Sequence, residues 1–222
     1  MKARSPRSSS LRSDLLSAFV IAHLFVLLFA GRRIVFFDFW WWMSFNIVVL
    51  LIYAFAADKS YFRLIQSELQ KPVIRNIALG LLSALFLYGY FAFGNWLSRE
   101  LFSFAGNGIN NVYGFKEGAS LLRIGLLMGF IIGPGEELVW RGFLQRRWEN
   151  RFGRFGAFIG VALLYTAVHA VSGNIMLILA ALTCGLFWGF LYYKYRSIVL
   201  IVVSHTLWDI LIFLVFPLGG QA

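Results

Sequence analysis

Two adjacent glutamates and an arginine lie inside an apolar stretch of the chain. Glu136 and Glu137 follow a Gly-Pro-Gly at residues 133–135, and Arg141 comes one helical turn after Glu137. Carboxylates are expensive in hydrocarbon, so ionisable residues inside membrane-spanning segments mark functional sites or buried ion pairs. The motif therefore indicates either a functional site or a structural ion pair between glutamate and arginine that packs two helices.

Two further apolar segments carry histidines with a partner at the same helical spacing. Tyr165 precedes His169 by four residues and His205 precedes Asp209 by four, so each pair shares one helix face. At about 1.5 Å of rise per residue, counted from the arginines that end their segments, Glu136, His169 and His205 fall within roughly 10 Å of one level. The depths permit a shared site without proving contact.

If these residues lie close together in the fold, they can catalyse a hydrolysis. A carboxylate beside a histidine can deprotonate water for attack on a carbonyl, and we expect Glu136 and His169 in that role. A second histidine, His205 held by Asp209, can stabilise the oxyanion that develops. The set therefore predicts hydrolysis of a carbonyl compound.

Other interpretations stay open at this point. Arg141 can fix Glu137, but that pair alone is equally compatible with a structural ion pair between helices. A lone histidine in a span is more often a packing residue than a catalyst. Ser204 precedes His205 and stays open as a nucleophile.

The composition predicts the framework that positions these residues. The chain has 222 residues, is 60% hydrophobic and has a mean hydropathy of +0.75, above the 45–50% apolar content typical of soluble domains. Its apolar blocks are about as long as the roughly 20 residues that span a bilayer, and runs such as 177–182 do not alternate as strands do. We therefore predict an all-α, polytopic transmembrane helix bundle of seven or eight spans.

The predicted spans form one domain. Residues 1–13 are predicted to be a disordered basic cytoplasmic tail, and 14–222 a single transmembrane domain with its catalytic core at 119–216. A short helix within the 97–118 loop raises the helix count to eight. Seven spans are predicted at residues 14–30, 34–57, 73–96, 119–145, 155–172, 174–193 and 197–216.

The charge pattern predicts an orientation. The net charge is +10, and the basic residues lie mainly at the ends of apolar blocks, which is typical of membrane proteins rather than of nucleic-acid binders. Seven spans put the tail and the 58–72, 146–154 and 194–196 segments on one side, which we predict to be the cytoplasm. Arg32 and Arg33 are exceptions on the other side.

The Gly-Pro-Gly at 133–135 predicts an interruption of the fourth span. Proline removes a backbone donor and glycine loosens a helix, so we expect a break that exposes backbone to a cavity. Glu136 and Glu137 would then open a new helical segment, whose N-terminus favours negative charge.

The combined pattern resembles the CAAX protease and bacteriocin-processing family of intramembrane endopeptidases, of which the type II CAAX prenyl endopeptidases are the best-known members. The resemblance covers about residues 119–216 and rests on the double glutamate, the two histidines and their spacing. It implies that Glu136 and His169 activate water, and that His205 and Asp209 form the oxyanion site.

The resemblance also implies a supporting or coordinating role for Glu137 and Arg141.

The chain departs from the family pattern at two positions. Tyr165 stands where phenylalanine is usual and adds a hydroxyl. Asp209 stands where asparagine is usual. Because an ionised aspartate cannot donate a hydrogen bond, Asp209 would orient His205 instead.

The departure at Asp209 also bears on cofactors. Glu136, Glu137, His169, His205 and Asp209 are all residue types that bind Zn²⁺. The resemblance implies a metal-free glutamate mechanism, so we expect no cofactor, with zinc as the alternative.

We therefore predict an intramembrane endopeptidase that cleaves a peptide bond with water activated by glutamate and histidine. The alternatives are a non-catalytic membrane scaffold or immunity protein of the same fold, or a proton-coupled transporter. The predicted partners are membrane lipids and a peptide or protein substrate, with no nucleic acid. The predicted location is a prokaryotic inner membrane, crossed several times.

Overall fold

The computed structural model is an all-helical bundle. It describes residues 10–31, 37–68 and 70–219, and no β-strand occurs within those ranges. The α-helices are α1 Leu11–Gly31, α2 Phe39–Ala57, α3 Tyr61–Glu68, α4 Val73–Leu101, α5 Ala105–Tyr113, α6 Leu121–Leu127, α7 Gly133–Glu137, α8 Arg146–Ala170, α9 Ile175–Tyr195 and α10 Ile198–Ile210. Wider π-helical turns follow α6, α7 and α10 at Met128–Ile132, Leu138–Gln145 and Leu211–Val215.

Six helical stretches in the described ranges are long and apolar enough to cross a membrane. The fourth, Leu121–Ala170, has 50 residues and is kinked at Gly153, whose φ of 69° is left-handed. Divided at that kink, the chain passes through the bundle seven times. This agrees with the seven or eight predicted spans and confirms the all-α membrane bundle.

The basic segments gather at one end of the bundle, which we call the basic end and define as residues 10–14, 57–75, 146–154 and 194–198. Ion pairs join its parts: Arg146 contacts Asp58 at 2.5 Å, Arg147 contacts Asp14 at 3.1 Å, and Arg196 contacts Glu149. The sequence-based grouping of these segments on one side is therefore confirmed.

The other end of the bundle, here the mouth end, comprises residues 37–39, 99–121, 170–176 and 215–219. Asp38 caps α2 and pairs with Arg123, and Asn174 caps α9 while its side-chain nitrogen donates to the Gly108 carbonyl at 2.7 Å. The ion pair joins α2 to α6, and the Asn174 bond fastens the short helix α5 to the start of α9.

Several predicted boundaries need adjustment. α1 begins at Leu11, so residues 11–13 are helical rather than part of a disordered tail. The Ser10 hydroxyl accepts from the Ser13 amide at 3.2 Å, which satisfies a free donor in the first turn of the helix. The loop at 97–118 contains α5 and a 3₁₀ turn, as its predicted short helix required. Residues 1–9 of the tail, together with Arg32 and Arg33, lie outside the described residues.

The predicted break in the fourth span is wrong. The backbone stays helical through residues 133–135, because the wide turn at Met128–Ile132 accommodates Pro134. The Gly133 amide still donates within the helix, to the Met128 carbonyl. Since the helix is continuous, no free N-terminus is available to compensate Glu136 and Glu137.

The two glycines allow close helix packing rather than loosening the helix. A Cβ atom on Gly133 would lie 2.6 Å from the Thr206 Oγ1 atom of α10, and one on Gly135 would overlap the Ile47 side chain of α2. α7 is thereby held tightly between two helices at the level of the glutamates.

Candidate active site

A cavity of about 430 Å³ lies inside the bundle. Four of the six predicted site residues line it, namely Glu136, His169, His205 and Asp209. Most other lining side chains are apolar or aromatic. The structure therefore brings carboxylates and imidazoles from α7, α8 and α10 to one mostly apolar chamber.

Glu137 and Arg141 lie behind the cavity wall. They are 0% and 1% exposed, and Arg141 Nη1 donates to Glu137 Oε1 at 2.8 Å. The second Arg141 nitrogen, Nη2, donates to the Gly185 carbonyl of α9 at 3.4 Å. The predicted Glu137–Arg141 pair is therefore present, and it also connects the glutamate helix to α9.

His205 lies between two carboxylates. Its Nδ1 donates to Glu137 Oε1 at 2.7 Å, and its Nε2 lies 3.5 Å from Asp209 Oδ2. Sequence reasoning paired this ring with Asp209 alone, but Glu137 is the closer partner. Two flanking carboxylates stabilise a positive charge on the imidazole, as a residue facing a developing oxyanion requires.

Glu136 and His169 face the cavity without a hydrogen bond between them. Glu136 Oε2 accepts from the Tyr165 hydroxyl at 2.9 Å. His169 Nδ1 lies 2.7 Å from the Tyr165 carbonyl, which can only accept, so Nδ1 carries the proton. The neutral ring therefore has its lone pair on Nε2. The predicted joint action of Glu136 and His169 remains a prediction.

Tyr165 organises this half of the site. Its ring contacts His169 at 4.5 Å between centroids, and Phe29 of α1 contacts the same imidazole at the same distance. The arginine of the buried pair, Arg141, lies 5.1 Å from the Tyr165 ring centroid. The aromatic residue one turn before the histidine thus contacts acid, base and cation.

Trp188 is a site residue that sequence reasoning missed. Its ring stacks on His205 with centroids 3.7 Å apart and an interplanar angle of 18°. The indole nitrogen donates to Ser204 Oγ at 3.2 Å, and Ser204 also accepts from Ser83 at 2.9 Å. Ser204 is fully buried and does not line the cavity, so its geometry favours positioning Trp188 over nucleophilic attack.

The candidate zinc ligands do not converge on a point. Among the described residues, no group of three or more histidine, cysteine or acidic side chains is arranged to hold an ion. Glu137 Oε1 is shared by Arg141 and His205, and His169 Nδ1 faces a backbone carbonyl. The donor set does not fit a bound zinc.

A comparison with protein families finds a match that covers the candidate site. Residues 118–211 match a family model described as Rce1-like, type II CAAX prenyl endopeptidase Rce1-like. This segment contains all six predicted site residues. Neither the curated proteins nor the solved structures gave a match to the chain.

Proposed function

We propose, from the premise that residues 118–211 form a domain of the CAAX protease family, that this multi-pass membrane protein is an intramembrane endopeptidase of the glutamate type. The observation that carries the proposal is the convergence of Glu136, His169, His205 and Asp209 on one cavity inside the bundle. Membrane lipids surround the protein, and its substrate is a peptide or protein.

The contacts support a specific division of labour. Glu136 takes a proton from water while His169 Nε2 accepts a hydrogen bond that orients the same water. The resulting hydroxide attacks the peptide carbonyl, and His205, flanked by Glu137 and Asp209, stabilises the oxyanion. Glu136 then returns the proton to the departing amide nitrogen.

The charge asymmetry supports an orientation for this activity. The basic end carries most of the lysines and arginines, so the positive-inside rule puts it, with the N-terminus, in the cytoplasm. We propose a prokaryotic inner membrane as the location. The family match lends no support to the scaffold or transporter alternatives.

Replacement of Glu136 tests the proposal. The full-length protein in liposomes is assayed against a quenched-fluorescent prenylated CAAX peptide and a membrane-spanning reporter peptide. Glu136→Gln keeps the shape of the side chain but removes the base, so we expect cleavage to fall by about 100-fold or more. The matched control Glu100→Gln, on the exposed face near the end of α4, should cleave normally. Full cleavage by Glu136→Gln overturns the proposal.

A further inference from the structure

The two ends of the bundle differ strongly in charge. At the mouth end, the described lysines and arginines are only Arg99 and Lys116, and Arg123 lies two residues beyond it. Three acidic residues of the same end, Asp38, Glu100 and Glu117, balance these charges. Those at the basic end are Arg12, Lys59, Arg63, Lys71, Arg75, Arg146, Arg147, Arg151, Arg154, Lys194 and Arg196. The mouth end therefore faces away from the cytoplasm under the positive-inside rule.

The cavity occupies the half of the bundle nearer the mouth end. Four helices line it with residues from that half: Phe29 near the end of α1, Met43 in the first turns of α2, Ser98 near the end of α4 and Met176 at the start of α9. Glu136 on the cavity wall stands ten residues, or roughly 15 Å, from Arg146 at the basic end.

Toward the basic end the bundle is filled. Trp140, Phe143, Leu144 and Gln145 continue the glutamate helix below the cavity, and each is 0% exposed. The ion pair between Arg146 and Asp58 closes the end beneath them. Within the described residues, these side chains fill the space between the cavity and the basic end.

Toward the mouth end the cavity is open between α4 and α9. Tyr90 of α4 and Leu179 of α9 both line it, and they are 54% and 50% exposed. Nearer the basic end, Phe86 of α4 and Phe187 of α9 stack with centroids 6.1 Å apart, which closes the groove between the same two helices. The opening therefore lies on the side of the bundle and in its mouth-end half.

We propose that the substrate enters from the non-cytoplasmic half of the membrane, between α4 and α9, and is an apolar, membrane-inserted peptide segment. This inference rests on the proposed function and on the orientation derived from charge. The apolar lining and the depth of Glu136 favour a segment that already lies in the bilayer. A soluble chain that approaches from the cytoplasm meets the closed basic end instead.

Labelling of single cysteines tests the side of entry without requiring activity. In a Cys184→Ala background, which removes the one native cysteine, Thr183→Cys places a thiol on the cavity wall. Arg63→Cys places one on the exposed surface of α3 as a matched control. In spheroplasts, a membrane-impermeant maleimide should label Thr183→Cys at least tenfold faster than Arg63→Cys. In inverted vesicles the order should reverse.

Two results would overturn the inference: labelling of Thr183→Cys from the cytoplasmic side, or from neither side. If Thr183→Cys fails to fold, Ser98→Cys at the cavity mouth replaces it and is judged by the same criteria.

Cleavage of the membrane-spanning reporter then separates this inference from the proposed function. External maleimide should reduce cleavage by Thr183→Cys at least tenfold and leave Arg63→Cys unaffected. If the unlabelled enzyme cleaves neither reporter, the proposed function fails, while the labelling pattern still decides the side of entry.

Discussion

The hydroxyl of Tyr165 is the residue-level feature that most distinguishes this site. It donates to Glu136 at 2.9 Å, and the backbone carbonyl of the same residue accepts from His169. One residue therefore fixes the orientation of both groups proposed to activate water. A phenylalanine at this position would keep the carbonyl contact and the ring packing but lose the bond to the carboxylate.

Tyr165→Phe should therefore lower kcat by about 10- to 100-fold and leave KM unchanged, since a hydrogen bond to a charged group contributes about 1.5–3 kcal/mol. Steady-state kinetics on the membrane-spanning reporter measure both constants. Tyr193→Phe, near the end of α9 and away from the cavity, is the control. A lowered melting temperature with unchanged kcat would show instead that the hydroxyl only stabilises the fold.

Residue spacing predicted the contacts within a helix but not those between helices. Glu137 with Arg141 was predictable because an i,i+4 pair lies on one face whatever the tertiary structure. Two other contacts join different helices: Trp188 stacks on His205, and His205 donates a hydrogen bond to Glu137. Both depend on how α7, α9 and α10 are rotated about their axes. No periodicity in the sequence reports that rotation.

At the scale of helices, glycine sets how closely α4 approaches α10. A Cβ atom on Gly80 would lie 2.8 Å from the Leu200 carbonyl oxygen, which belongs to backbone and cannot move aside. Gly89, on the same helix, has nothing within 4 Å of its Cβ position. Gly80 therefore lies in a close helix contact and Gly89 does not, so substitutions at the two positions can be compared directly.

Gly80→Ala should destabilise the protein by about 1–3 kcal/mol through overpacking. Gly89→Ala should be neutral or stabilising by up to about 1 kcal/mol, because alanine favours helix. Thermal unfolding in detergent, followed by circular dichroism, measures both. Equal melting temperatures for the two variants would contradict the close approach of α4 and α10.

The helices themselves were largely predictable, and their irregularities were not. Apolar block lengths gave the seven passages through the bundle, because a bilayer demands spans of nearly constant length. The Gly-Pro-Gly at 133–135 was misinterpreted, since the same residues fit a break or a close contact. Which one occurs depends on Ile47 and Thr206, which lie far away in sequence.

Across the whole molecule, the segment that matches the family does not enclose the cavity alone. Phe29 of α1, Trp40 of α2, Phe91 of α4 and Tyr113 of α5 all line it and all precede residue 118. The N-terminal half therefore supplies a wall of the chamber, and burial at this site belongs to the entire bundle.

The basic end should make the stability of the whole bundle pH-dependent through Asp58. Burial raises the pKa of this carboxyl, but hydrogen bonds from Ser60 and the charge of Arg146 outweigh burial and hold the pKa below its usual value. A carboxyl whose pKa is lowered by folding stabilises the folded state above its unfolded pKa, about 3.9 for aspartate. That stabilisation is lost as the pH falls through the lower, folded pKa.

Asp58→Asn should therefore lower the melting temperature at pH 7, and the difference from the parent protein should shrink as the pH falls below about 4. Melting curves in detergent across this range measure the effect. Glu117→Gln, exposed at the mouth end, should match the parent at each pH. A difference for Asp58→Asn that stays constant down to pH 3 would contradict the ion pair with Arg146 as the cause.

The wide turn at Met128–Ile132 makes the orientation of the glutamates depend on the number of residues that precede them. A π-helical turn holds one residue more than an α-helical turn, and it is equivalent to a single-residue insertion into a helix. Removing one residue there would restore the regular turn and rotate everything beyond it by about 100°. Glu136 would then leave the cavity and Glu137 would lose His205, with the identities and the order of the two glutamates unchanged. The catalytic face is thus specified by a residue count as well as by residue types, and an alignment gap in this stretch would signal a displaced site.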